Sequence, residues 1–124
     1  MPVCTLTDVQ FATALRTLLT WREINAFHKK HFPPCPDDGM YAEGYSELVV
    51  STLAANWASL PELDREAKER TEFLAFVLKH IDASADPSQL RLIRRRAAER
   101  CPSAQAALCT SLRKAAEAAI SELR

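Results

Sequence analysis

Two glycines in 124 residues, set against seven prolines that fall at five places, constrain this chain more than any other feature of its sequence. Backbone left so unpunctuated by glycine, with few β-branched residues and abundant alanine, favours helices joined by short proline-marked connections. The predicted fold is therefore all-α: a compact single-domain bundle of five to six helices spanning residues 1–124. A chain of this length can bury somewhat over ~60% of its unfolded surface in one core, so size alone demands neither a disulfide nor a metal.

Capping signals and apolar spacing divide the chain. Thr7-Asp8-Val9-Gln10 has the form of a capping box, and the first helix is expected to run from there to about His31. Phe11, Leu15, Leu18, Leu19, Ile24 and Phe27 form its apolar stripe, which drifts or bends near Trp21. Pro33, Pro34 and Pro36 end it. A second helix is expected over 40–59, capped by Asp37 or Asp38, with Tyr45, Leu48, Val49, Thr52, Leu53 and Trp57 facing inward. Pro61 opens a short third helix whose Glu62, Asp64, Glu66, Lys68 and Glu69 face water. A fourth covers 71–82 with Phe73, Leu74, Phe76, Val77 and Ile81 inward. Asp86-Pro87 pairs a capping residue with a first-turn proline and starts a fifth, running through Glu99. Cys101-Pro102-Ser103 breaks the chain before a last helix over 103–123, whose small residues allow either close helix packing or docking of a second copy as a homodimer.

Sixteen basic residues balance sixteen acidic ones, which leaves no long-range field to draw polyanions or membranes to the protein. The most apolar N-terminal stretch, Phe11 to Trp21, is interrupted by Arg16 and lacks a small-residue cleavage pattern, so it reads as neither signal peptide nor membrane span. The cytosol is the expected compartment, with the periplasm or the exterior the alternative if a leader has been removed.

Four cysteines allow three pairings or none, and no two stand at a Cys-x2-Cys spacing. Cys101 and Cys109 would be about 12 Å apart along a continuous helix, too far for a bond. They can bridge only if Cys101 lies in the turn before that helix and folds back. Free thiols are the expectation, because nothing in the chain marks it as secreted.

The segment His28 to Tyr45 concentrates unusual residues: two of the three histidines, three of the prolines, both glycines, both tyrosines and one cysteine. Loops on a rigid scaffold carry binding groups disproportionately, so this segment is the candidate site. Phe32, Asp37, Asp38, Met40, Tyr41 and Tyr45 are its expected partner-binding residues, aromatic side chains being favoured at interface hot spots. The expected function is a non-enzymatic protein-binding module, of inhibitor, adaptor or immunity type, that needs no cofactor and touches no membrane.

Two alternatives use other chemistry. His28 and His31, three apart on one helix face, could join Cys35 and an aspartate in a tetrahedral metal site, or His31 could activate Cys35 as a nucleophile. Neither repeats a ligand pair or supplies a group to orient the imidazole. Their ordinary role is to set positive charge, with Lys29 and Lys30, at a helix C-terminus. Glu43 and Glu47, four apart behind Asp37 and Asp38, form an acidic edge, but the chain has no Glu-x-x-His pair to complete di-metal chemistry. Arg91, Arg94, Arg95, Arg96 and Arg100 make the fifth helix strongly basic, able to take phosphates or an acidic surface. Zero net charge and the absence of a nearby aromatic stacking set argue against nucleic acid. Pairing with the acidic third helix is the expected use of these charges.

Overall fold

The computed structural model describes residues 3–123, and those residues contain helices but no strand. Seven α-helices occur: α1 (Asp8–Leu15), α2 (Trp21–His31), α3 (Gly39–Ala55), α4 (Leu60–Glu69), α5 (Thr71–Lys79), α6 (Pro87–Glu99) and α7 (Ala106–Ser121). Short 3-10 turns, Trp57–Ser59 and Ser103–Gln105, precede α4 and α7. The all-α expectation holds, and the count exceeds it because the predicted first helix is two.

The division has a local cause. After Leu15, the Thr17 hydroxyl and amide both return to the Ala14 carbonyl, closing the last turn. Thr20 then starts a new helix with a reciprocal capping box: its Oγ1 accepts from Glu23 N–H, and a Glu23 carboxylate oxygen accepts from Thr20 N–H. The Leu19 N–H and the Thr20 hydroxyl also point at Glu23, which holds that carboxyl below its ordinary range. Glu62 of α4 adds a tertiary cap, accepting from the amides of Trp21 and Arg22. One consequence is a changed face: Leu19 of the predicted stripe is 73% exposed, while Trp21 is wholly buried with its indole N–H on Ser59.

The acidic face of α4 is likewise less solvated than expected. Glu62 caps α2, Glu66 accepts from the Asn25 amide, and Asp64 pairs with Lys68 and accepts from Gln105. These carboxylates are engaged locally, and α6 lies elsewhere, packed on α7 and α3 while α4 packs on α2 and α5. The expected pairing of α6 with the acidic helix does not form.

Both cysteine pairs are disulfides, Cys4 to Cys35 and Cys101 to Cys109, correcting the expectation of free thiols. Cys101 sits in the Pro102 connection rather than in α7, so the chain folds back and its Cα comes to 6.1 Å from that of Cys109. Cys35 brings the loop after α2 to the N-terminal segment, which Tyr41 also holds by donating to the Leu6 carbonyl.

A continuous core joins all seven helices, from Phe11 and Ile24 through Tyr45, Leu53, Leu63 and Phe73 to Ile93 and Leu112. Ala116 and Ala119, two of the small residues of α7, are buried inside it. Gly44 is what lets α1 reach α3: a Cβ there would lie 2.8 Å from Phe11 Cε2 and 3.0 Å from Leu15 Cδ1. No helix among the described residues is long and apolar enough to cross a membrane.

Candidate functional site

The loop between α2 and α3 is held from several directions. The bonds Phe32-Pro33 and Pro33-Pro34 are cis, and Gly39 takes φ +50°, a value that favours glycine, as the chain enters α3. Asp38 occupies the N-cap position without a side-chain capping bond. Asp37 points inward instead. Its Oδ2 accepts from Lys79 Nζ at 3.1 Å and lies 2.8 Å from His80 Nε2.

Beyond His80 the polar contacts continue. His80 Nδ1 is 2.8 Å from Ser46 Oγ, and the Ser46 hydroxyl donates to Asp82 Oδ2, also at 2.8 Å. Serine, histidine and aspartate thus stand in a row on α3, the end of α5 and the loop. A serine nucleophile needs its proton directed to the imidazole and an opening to substrate. Ser46 directs its one proton to Asp82 and is 0% exposed, and His80 is 1% exposed. The row is a buried brace tying the loop to α3 and α5.

Sequence reasoning did not bring Ser46, His80 and Asp82 together. A faint signal existed: His80 continues the Phe73, Phe76, Val77 face of α5, and Ser46 lies beside Tyr45 and Val49 on α3, both polar residues at inward positions. Buried polar groups require partners, so each implied another element across the core.

The predicted partner-binding residues separate into two groups. Phe32, Asp38 and Met40 are exposed. Tyr45 is 2% exposed, packed edge-on to Phe11 and Phe76, and burial pushes its phenol above the ordinary value. The Asp37 side chain is 5% exposed, and the Tyr41 hydroxyl is engaged by Leu6. Asp37 and Tyr45 therefore build the loop from within and are not on the surface a partner could touch.

The metal and nucleophile alternatives lose their sulfur, because Cys35 is bonded to Cys4. His28 is buried between Phe32 and Phe76 with Nδ1 facing Arg70, whereas His31 packs beside Phe27 on the loop side. Among the described residues, no three metal-binding side chains converge.

What the surface does offer is a groove between α1 and α3. Phe11, Leu15, Leu18, Leu19, Met40, Gly44 and Leu48 line it, and its volume is about 660 Å³. It follows α3 from Met40 to Asn56, about 24 Å at the α-helical rise. Glu43 and Glu47, the acidic edge of the sequence, form its rim on α3, and Arg16 stands on the α1 side. Compared with protein-family models, with curated proteins and with solved structures, the chain finds no match.

Proposed function

We propose that this protein is a non-enzymatic protein-binding module that holds an amphipathic helix of its partner in the groove between α1 and α3. The observation that carries the reading is the open apolar channel about four helical turns long, with Leu19 73% and Met40 37% exposed along it. Helix-in-groove recognition takes that shape, with apolar anchors at i, i+3, i+4 and i+7 in the channel and charged flanks on its rims. Glu43 and Glu47 select a partner helix with basic residues on one flank, and Arg16 favours an acidic residue on the other. Met40 stands in the first turn of α3, at the end of the groove where the loop carrying the exposed Phe32 and Asp38 enters the helix. Inhibitor, adaptor and immunity-type roles all use such a surface.

An oxidising compartment accompanies this proposal in place of the cytosol, since two disulfides persist where thiols are not kept reduced.

The test is affinity capture with the wild-type chain and with Met40→Glu, Leu19→Glu and Glu47→Lys as baits, followed by measured binding of the captured partner's helical peptides. The reading expects a partner whose peptide has an apolar stripe with a basic flank, and a loss of about tenfold or more for each groove variant, the ~1–2 kcal/mol of an anchor residue. Glu47→Lys combined with acidic replacement of the peptide's flank should restore binding. Equal capture by all baits, with melting temperatures unchanged, would remove the groove from the function.

A further inference from the structure

We propose that a second cleft, where the end of α3 meets α6, binds a small polyanion carrying at least two phosphate or sulfate groups. Asn56 and Trp57 stand on one wall and Arg95, Arg96, Glu99 and Arg100 on the other, around a volume of about 750 Å³. The cleft lies past the far end of the apolar groove and shares only Ala55 and Asn56 with it.

Charge is the first argument. Three guanidiniums share the cleft with one carboxylate, Glu99, in a protein of zero net charge. None of the three is within 4.0 Å of a carboxylate among the described residues, where the ion pairs involve other cations. Arginine in these turns also complements the C-terminal dipoles of α3 and α6. Glu99 and the two helix ends, however, supply only about two units of negative charge together, against three cations. An excess of positive potential remains, focused by the walls of a cleft.

Geometry is the second. Arg96 is fixed in place, its Nη1 donating to the Ala54 carbonyl at 2.6 Å, and a guanidinium with five N–H donors keeps others for a ligand. Trp57 is pinned by its indole N–H on the Arg100 carbonyl at 3.0 Å, which sets a flat apolar wall beside the cations. Arg95 and Arg100 are exposed and free to close on an anion. Guanidinium forks match the oxygens of phosphate and sulfate two at a time. A lone phosphate would leave most of this volume open, so a larger carrier with two or more anionic groups suits both the size and the charge.

The experiment is titration of the full chain with inorganic pyrophosphate and, separately, with a disulfated disaccharide, followed by amide and indole nitrogen–proton correlation spectra at low salt. Saturable shifts are expected at the Trp57 indole and at Asn56, while the buried Trp21 indole stays still. Arg95→Gln with Arg100→Gln should weaken binding at least tenfold without moving the melting temperature, and Arg113→Gln on α7 should leave affinity unchanged. Tighter binding of the disaccharide assigns a sulfated sugar as the source of the anions, and tighter binding of pyrophosphate assigns a phosphorylated one. Failure of both probes to saturate, or equal weakening by Arg113→Gln, would overturn the proposal.

Discussion

Arg70 Nη1 donates to His28 Nδ1 across 3.2 Å, and the opposite ring nitrogen of His28 is buried without a partner. Because a guanidinium can only donate, Nδ1 is the acceptor and His28 is neutral. Burial, reinforced by Arg70 and partly opposed by Asp37, pushes its pKa down from 6.5 to about 4. Between those values the unfolded chain binds a proton that the folded chain refuses, so stability is complete above about pH 7 and falls as the pH drops toward 4. The loss from this residue is at most about 3 kcal/mol. Denaturant unfolding of wild type and His28→Gln across that window should show a flatter pH dependence in the variant. Parallel curves would mean that His28 titrates normally.

The disulfides should matter unequally. Cys4 to Cys35 closes a separation of 31 residues and Cys101 to Cys109 one of 8. Loop-closure entropy then assigns about 3–4 kcal/mol to the first and about 2–3 kcal/mol to the second. Thiol titration of unreduced, unfolded protein should find no free cysteine, and reductant should lower the melting temperature. Removing the first pair by Cys→Ser should lower it further than removing the second. Four free thiols would return the protein to the cytosolic expectation.

Gly44→Ala tests how α1 is seated. Alanine gains about 1 kcal/mol in helix propensity, but its Cβ would meet the buried Phe11 ring at 2.8 Å, and overpacking of that kind costs about 1–3 kcal/mol. The expected net result is a lower melting temperature and a displaced α1, visible as changed amide shifts in Phe11 and Leu15. A stabilised variant with unchanged spectra would show that α1 yields at no cost.

Asp37 and Ser46 should behave as structural groups. Asp37→Ala leaves His80 and Lys79 without their carboxylate and should cost about 3–5 kcal/mol, while Ser46→Ala takes away the partner of His80 Nδ1 and of Asp82 Oδ2 for about 1–3 kcal/mol. Chemical denaturation measures both. Full stability in either variant would mean that the row is not a brace and would reopen the question of its chemistry.

Local signals were legible in the sequence because they act within one or two turns of chain. The Thr7 capping box, the Asp86-Pro87 start, with Asp86 accepting from Ser88 and Gln89 amides, and the proline stops all stand where they were expected. Thr20-Trp21-Arg22-Glu23 was equally visible as a capping box, but a long apolar stripe across it concealed the break.

Tertiary structure alone decided which residues of the loop face outward. Composition marks Asp37, Tyr41 and Tyr45 as candidates, but it cannot say that His80 and Lys79, 42 or more residues away, would draw Asp37 inward. Nor could helical spacing anticipate that the turn carrying Cys101 would fold back onto Cys109, or that α1 and α3 would stand side by side with an acidic-rimmed groove between them. Periodicity determines which stripe of a helix is apolar. Whether that stripe is covered by another helix, or left open for a partner, depends on contacts between segments far apart in the chain.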